Sequence, residues 1–443
     1  MVSVVHPLRN AGAGIAHRRA SSEFVPSEIG PLPIGWGTAK LGEILEFKNG
    51  VNADAKAYGS GIPFANVLEV LTHSHLKAAD IPGRVTLTQA QVRAYRVRRG
   101  DVLFNRTSET QEEVGLCSVY ADEADVVFGG FVIRGRLETE NFDPIYCGYA
   151  WRHHVIRSQI VALGQGAIRA NIGQADLRNV VVPKPPLLEQ RRIAATISDA
   201  DSLIESLDVL SAKQHAMKQG AMRQLLSGQT RLPGFAGEWK KRQLGAVVAD
   251  LEAGVSVNSI ENASDGASGL FGVLKTSAVA NGRFIPSEAK TIAPTDLGRV
   301  KLSPRADSVI ISRMNTPDLV GECGYVPTDF RNLFIPDRLW MTRFREESHV
   351  SAKWLAYTLS TPATRRLLKS IATGTSGSMK NISKVALLAL ELAFPDPAEQ
   401  NAIAEVVEDM DAEIVALESE RAKAYQCKQG MMQELLTGRV RLI

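Results

Sequence analysis

Two segments of the chain, 210 residues apart, repeat the same spacing of apolar side chains. Intervals of four and three residues alternate in both segments, which places the apolar positions on one side of a helix, as in a coiled coil. The predicted seams are Ile193, Ile197, Ile204 and Leu207 in the first segment, and Ile403, Val407, Ile414 and Leu417 in the second. Prolines precede both segments and a glycine follows each, so we expect two helices of about 40 residues, each about 60 Å long.

The repeat extends beyond the seams. Residues 185–232 align with residues 395–442 without a gap, with 20 identities in 48 positions. Helices that pack only on their own domains would not need the same length and register. The repeat therefore favours mutual pairing as an antiparallel coiled coil, and separate packing of each helix on its own domain remains the alternative.

The segments that precede the two helices are related more weakly. GDVLFNR at 100–106 resembles ADSVIISR at 306–313, and both are typical of a strand that runs into a polar loop. Helical patterns follow at 145–163 and 352–372, and then a glycine-rich loop and a short apolar strand. The predicted fold class is α+β: two mixed α/β domains separated by two long helices, in a pseudo-two-fold repeat.

The predicted organisation has five parts. They are a poorly ordered extension at 1–30, a first domain at 31–184, a first helical region at 185–231, a second domain at 232–395 and a second helical region at 396–443. Apolar residues make up 44% of the chain, and the longest apolar run is far too short to span a membrane. The four scattered cysteines have no CxxC spacing, which indicates reduced thiols in the cytoplasm.

Charge is distributed unevenly along the chain. The net charge is only +3, yet the second domain carries 20 basic and 15 acidic residues, whereas the second helical region carries 5 and 10. The first domain is nearly neutral, with 17 and 16. Because phosphates repel an acidic helix, we expect the domains to face nucleic acid and the helices to face protein.

The polar loops after the two strands hold side chains that can read bases. Arginine pairs with guanine and asparagine with adenine in the major groove, and basic residues on the helical stretches of both halves suit phosphate contacts. We predict a DNA interface of Asn105, Arg106, Thr107, Ser108, Arg152, Arg157, Arg169 and Asn171 in the first half, and of Arg313, Asn315, Thr316, Arg365, Arg366, Lys380 and Asn381 in the second. For each residue, a structural role within its own domain is the alternative. We interpret His153 and His154 as a basic surface pair.

Catalytic motifs are missing. A DNA-base methyltransferase needs a glycine-rich cofactor loop and an (Asn/Asp)-Pro-Pro-aromatic motif, and DPIY at 143–146 lacks the second proline. No GxxxxGK(S/T) phosphate loop occurs, and the segment Glu288-Ala289-Lys290 lacks a convincing aspartate partner for a nuclease metal. We therefore expect no catalytic residues, no metal and no cofactor.

The repeated helical segments resemble those of the specificity subunits of type I restriction–modification enzymes. LLEQRRIAATISDADSLI with KQGAMRQLLSGQTRLPG, and PAEQNAIAEVVEDMDAEI with KQGMMQELLTGRVRL, look like the central and distal helical regions of that family. WGTAKLGEI and EWKKRQLGAV look like the starts of its two target-recognition domains. The resemblance covers residues 31–443.

The resemblance implies a non-catalytic subunit that reads a bipartite site in double-stranded DNA, one half per target-recognition domain. It also implies two modification (methyltransferase) subunits as partners, joined by restriction (motor and nuclease) subunits. Two alternatives stay open. One is a coiled-coil scaffold of another defence complex with weak or non-specific DNA binding. The other is an RNA-binding adaptor, which the 6% aromatic content disfavours.

Overall fold

The computed structural model describes residues 23–166, 169–260, 271–374 and 379–443. It divides into two compact units: unit 1 comprises Met1–Ser206 and Glu420–Ile443, and unit 2 comprises Leu207–Ser419. Each long helix thus contributes one half to each unit. The predicted boundaries separate helices from domains instead, and they remain a prediction. Most of the predicted extension at 1–30 lies outside the described residues.

Unit 1 contains two larger sheets. A central strand with four consecutive buried residues, Val102–Asn105, holds the first of them together, because both of its faces are covered. The five-stranded sheet has the order Leu45–Asn49, Val132–Leu137, Val102–Asn105, Cys117–Tyr120, His75–Leu76, with the last pair parallel and the others antiparallel. The four-stranded sheet has the order Arg84–Val85, Tyr58–Ala65, Val126–Phe128, Arg96–Val97.

Short elements complete unit 1. Its two-stranded pairs are Phe24–Val25 with Leu32–Pro33, Gly37–Lys40 with Val181–Lys184, and Thr107–Ser108 with Ala170–Asn171. Its short helices are Leu41–Ile44, Val67–Thr72, Gln89–Tyr95, Pro144–Ala150, His154–Leu163 and Gln174–Arg178. The stretch 145–163, which the sequence predicted to be helical, therefore forms two separate helices, Pro144–Ala150 and His154–Leu163.

Unit 2 follows the same plan. Its buried central strand is Ser308–Ser312. The six-stranded sheet has the order Val248–Ala253, Leu339–Phe344, Ser308–Ser312, Cys323–Val326, Gly282–Phe284, Val279–Ala280. The four-stranded sheet has the order Ser259–Ile260, Ala289–Ile292, Gly272–Leu274, Leu333–Phe334. The two-stranded pairs are Lys240–Gln243 with Glu391–Phe394 and Met314–Asn315 with Lys380–Asn381.

The helices of unit 2 show why the predicted helical stretch at 352–372 is interrupted. The short helices are Ala352–Ser360, Pro362–Ser370 and Lys384–Leu388. Pro362 cannot donate a backbone hydrogen bond to the preceding turn, so it ends one helix and begins the next. The hydroxyl of Thr361 caps the new helix by accepting from the backbone N–H of Thr364.

The two long helices are Leu187–Leu225 and Pro397–Leu435, each of 39 residues, which confirms the predicted length and register. In unit 1, the start of the first long helix lies beside Leu435 and Leu436 at the end of the second. In unit 2, the start of the second lies beside Leu225 and Leu226 at the end of the first. The helices therefore pair antiparallel, as expected.

The predicted seams serve two purposes. Ile193 and Ile197 are fully buried in a core that also contains domain side chains such as Tyr146, and Ile403 and Val407 occupy the matching core of unit 2. The later seam residues are less uniformly covered: Leu207 and Ile414 are buried, and Ile204 and Leu417 are half-buried. Mutual pairing and packing on the domain therefore coexist.

Repeated polar residues join each domain to both helices. Glu189, which is 3% exposed, accepts hydrogen bonds from Trp36 Nε1 at 2.9 Å and from Arg441 Nε and Nη2 at 2.6 and 2.8 Å. In unit 2, Glu399, which is 1% exposed, accepts from Trp239 Nε1 at 3.3 Å and from Arg231 at 2.5 and 2.6 Å. We call these two arrangements the Glu–Arg–Trp anchors.

A second repeated contact lies further along the helices. Lys428 Nζ lies 2.5 Å from Asp201 in unit 1, and Lys218 Nζ lies 2.7 Å from Asp411 in unit 2. Tyr149 donates its hydroxyl to Asp201 at 2.7 Å, and Tyr357 donates to Asp411 at 3.1 Å. Burial, with the neighbouring carboxylate, raises the pKa of both phenols, so they stay protonated as donors.

Candidate nucleic-acid interface

In each unit the two predicted base-reading loops lie side by side. Thr107 pairs with Asn171 and Ser108 with Ala170 in unit 1, and we call this ladder the first short β-pair. In unit 2, Met314–Asn315 and Lys380–Asn381 form the second short β-pair, in the same antiparallel sense. The sequence placed these loops more than 60 residues apart, and the fold brings them together.

The first short β-pair presents polar side chains at the surface. Thr107 Oγ1 donates to Asn171 Oδ1 at 2.7 Å, and Asn171 Nδ2 donates to the carbonyl of Arg169 at 2.9 Å. Arg106 is exposed, and its guanidinium donates to the carbonyl of Gly130 at 3.4 Å. Arg169 is also exposed, with Glu109 at 3.8 Å. Both guanidinium groups can turn towards a ligand, because these contacts are long and solvated.

The second short β-pair is more covered. The Arg313 guanidinium lies over the Trp340 ring at 5.2 Å, and its buried Nε has no hydrogen-bond partner among the described residues. Asn315 Nδ2 donates to Ser312 Oγ at 3.2 Å, and Lys380 Nζ donates to the carbonyl of Gly374 at 3.0 Å. Asn381 Oδ1 is buried without a hydrogen-bond partner within the described ranges, and Thr316 is exposed.

Two of the predicted contact residues face inward. Asn105 is fully buried and donates from Nδ2 to the carbonyl of Glu113 at 3.2 Å. Ser108 is 5% exposed and donates to Glu113 Oε2 at 2.8 Å. These side chains hold the loop at 109–113 against the strand. In this structure they therefore position the exposed residues of the predicted interface and are not exposed themselves.

Three predicted phosphate contacts are engaged inside their own unit, which corrects their assignment. Arg152 donates to the carbonyls of Val70, Leu71, His73 and Cys117 at 2.6–3.1 Å. Arg157 donates to two carbonyls of the loop that follows the first short β-pair, at 2.7 Å each. Arg365 donates to two carbonyls of the equivalent loop in unit 2, at 2.9 Å, and lies 2.8 Å from Glu322. A guanidinium that satisfies buried carbonyls is not available to phosphate.

Arg366 differs from its neighbour Arg365, because it is exposed on the same helix. It stays in the predicted interface. His153 corrects another expectation. Its imidazole is half-buried, and burial, followed by the charges of His154 and Arg439, lowers its pKa to about 4. His153 is therefore neutral near pH 7 and is not part of a basic surface pair.

A groove beside the first short β-pair contains residues that the sequence did not single out. It has a volume of about 490 Å³, and its apolar lining comes from Val67, Leu71 and Phe131, next to Thr107 and Arg169. Val67 and Leu71 lie on the helix Val67–Thr72, which ends 30 residues before the strand Val102–Asn105 begins. No local pattern could have connected them with this loop, because only the tertiary fold joins the two segments.

Comparison with known proteins gives a consistent result. The chain is 27% identical over 233 residues to the MjaX specificity subunit of Methanocaldococcus jannaschii, across 52% of this chain and 53% of that protein. It is 22% identical over 428 residues to the StySPI specificity subunit of Salmonella potsdam, across 92% and 89%. It thus spans about half the length of the first of these relatives. No family model matches.

Solved structures show the same fold. The specificity subunit from M. genitalium matches with a TM-score of 0.56 at 14% identity, over 90% of this chain and 96% of that one. A chain from a type I restriction–modification structure concerned with complex assembly matches with a TM-score of 0.53 at 20% identity, over 92% and 99%.

The architecture, two α/β domains alternating with two antiparallel helices, is shared with these solved structures. In sequence and fold the chain is similar to the specificity subunits of type I restriction–modification enzymes. No described helix is long and apolar enough to cross a membrane.

Proposed function

We propose that the chain reads a bipartite site in double-stranded DNA, with one half-site contacted by each short β-pair. The observation that carries this proposal is the duplicated ladder of Thr107–Ser108 with Ala170–Asn171 and of Met314–Asn315 with Lys380–Asn381. The exposed Arg106 and Arg169 flank the first ladder, beside Thr107 and Asn171, and the second ladder contains Asn315 and Lys380. Such groups suit hydrogen bonding to base edges, and two copies of one device suit two half-sites.

We further propose that the long helices bind protein: two modification subunits, with restriction subunits joining the assembly. The second helical region carries 10 acidic and 5 basic residues, which disfavours contact with phosphates. The chain itself then contributes recognition, and its partners contribute the methyl-transfer and cleavage chemistry. Purified chain should neither methylate nor cut DNA, and activity of the chain alone would contradict this assignment.

A selection experiment tests the proposal. The chain, co-purified with its modification subunits, is incubated with a pool of randomised duplexes at a fixed salt concentration, and the bound duplexes are sequenced. We expect two short sequence blocks separated by a spacer of constant length and free sequence. DNA retained without any selected sequence would favour the alternative scaffold with non-specific binding. Stronger capture of single-stranded RNA would favour the adaptor.

A further inference from the structure

The two units place different side chains at one equivalent position beside the reading loop. In unit 1 the backbone N–H of Arg106 donates to the carbonyl of Phe131 at 2.8 Å. In unit 2 the backbone N–H of Arg313 donates to the carbonyl of Arg338 at 3.0 Å. Phe131 and Arg338 each directly precede a strand of the larger sheet, Val132–Leu137 and Leu339–Phe344. The backbone is the same, and the side chains have opposite chemistry.

Both side chains are available to a ligand. Phe131 is 54% exposed and forms part of the groove with Val67, Leu71 and Thr107. Arg338 is exposed, and no carboxylate among the described residues lies within ion-pair distance of it. A single exposed phenylalanine is ordinary on a protein surface, but this one borders a groove with two further apolar side chains. The charged side chains of the groove are Arg169, Glu109 and Glu113.

We propose that Phe131 and Arg338 determine base specificity, and this inference rests on the proposed function. The C5-methyl of thymine is the apolar group that base pairs display in the major groove, and phenylalanine can contact it. An arginine at the same place pairs with O6 and N7 of guanine. The half-site read by unit 1 therefore contains a thymine against Phe131, and the half-site read by unit 2 contains a guanine against Arg338.

The selection experiment, repeated with variants in the same complex, measures this specificity directly. Phe131→Ala should reduce the preference for thymine at one position by about tenfold and leave the other half-site unchanged. Phe131→Arg should replace that thymine with guanine. Arg338→Ala should relax one guanine in the other half-site. Phe24→Ala removes another exposed phenylalanine of unit 1, outside the groove, and should change neither half-site.

Replacing the selected thymine with uracil isolates the methyl group. Wild-type binding should weaken about fourfold, because one methyl contact is lost, whereas the Phe131→Ala variant should bind both duplexes equally. Equal weakening of Phe131→Ala on every sequence would overturn the inference, since it would make the ring a non-specific wedge. An unchanged selected site in Phe131→Ala and Phe131→Arg would also overturn it.

The results distinguish a failure of this inference from a failure of the proposed function. A wild-type complex that selects no sequence contradicts the proposed function itself. A wild-type complex that selects a bipartite site, while the variants select the same site with the same discrimination, contradicts only the role of Phe131 and Arg338. Because both side chains are exposed, thermal unfolding of the variants should match the wild type, which excludes misfolding as the cause of a changed site.

Discussion

The Glu–Arg–Trp anchors and the short β-pairs are both duplicated, but they are duplicated differently. In the anchors, residue types and contacts recur together: Glu189, Arg441 and Trp36 correspond to Glu399, Arg231 and Trp239. In the short β-pairs, the backbone ladder recurs and Asn171 matches Asn381, while the other three positions of the ladder carry different side chains.

The difference indicates two kinds of physical constraint. A buried carboxylate needs its cation and its indole N–H, because an unpaired buried charge is strongly unfavourable, so few residue types fit there. A ladder of backbone hydrogen bonds accepts many side chains, so surface residues such as Phe131 and Arg338 can differ without affecting the fold. The anchors are therefore repeated in every side chain, whereas the short β-pairs are repeated in the backbone and in only some side chains, such as Asn171 and Asn381.

The largest expected effect comes from breaking an anchor. Glu189→Ala leaves the Arg441 guanidinium, whose side chain is 10% exposed, without its partner, and should reduce the free energy of unfolding by about 3 kcal/mol. Hydrogen exchange resolved by segment should show the loss in unit 1. Glu205→Ala, an exposed position on the same helix, is the control and should change stability by less than about 0.5 kcal/mol. Equal stability of the two variants would refute the anchor.

Changing a reading loop should affect binding and not stability. Arg106→Ala should weaken binding by about 1–3 kcal/mol on duplexes with a guanine at its position, and much less on others. Arg366→Ala should weaken binding on all duplexes equally. It should also reduce the slope of the logarithm of the binding constant against the logarithm of the salt concentration by about one, as expected for the loss of one phosphate contact. Titrations at several salt concentrations distinguish the two. If Arg106→Ala also weakened all sequences equally, Arg106 would be a phosphate contact.

The helix pairing contact should have a moderate effect. Lys428→Met keeps an unbranched side chain but removes the ammonium that lies beside Asp201 and over the Tyr149 ring, and should destabilise unit 1 by about 1.5–3 kcal/mol. Lys218→Met should do the same in unit 2, since its ion pair is equivalent. Lys423→Met changes an exposed lysine on the same helix as Lys428 and serves as the control in urea denaturation. A loss in only one unit would contradict the pseudo-symmetry.

The smallest expected effect is a pH dependence confined to unit 1. The pKa of His153 is about 4 in the folded protein, below its ordinary value of 6.5, so the unfolded state binds the proton first as the pH falls. Stability contributed by neutral His153 is complete above about pH 6.5 and is lost progressively towards pH 4. Burial also lowers the pKa of His75, with the same sign. His153→Gln should reduce the slope of stability against pH in this window, and an unchanged slope would contradict the assignment.

Long helices were the most predictable part of the fold. Their bounds, equal length and antiparallel pairing follow from a 4-3 apolar repeat with prolines before it and glycines after it, all of which are local signals. The central strands and the loops beside them followed from short-range composition. The sequence also identified both loops of each short β-pair, although their pairing is a long-range contact.

Burial was the part of the candidate site that could not be predicted. Arg157 and Arg365 have the composition of a basic helical surface, yet both point inward to loop carbonyls. No signal in the sequence indicated Phe131, because its position beside the reading loop depends on a contact with Arg106, which lies between two other strands.

The order of residues along the chain was enough to predict the internal repeat, the two long helices, the acidic character of the second and the family resemblance. All of these depend on residue identity and spacing along the chain. Only the tertiary structure decided which arginines serve the core, which loops share a ladder and which side chains border the groove. Those properties depend on contacts between segments distant in sequence, because the direction of a side chain is set by what packs around it.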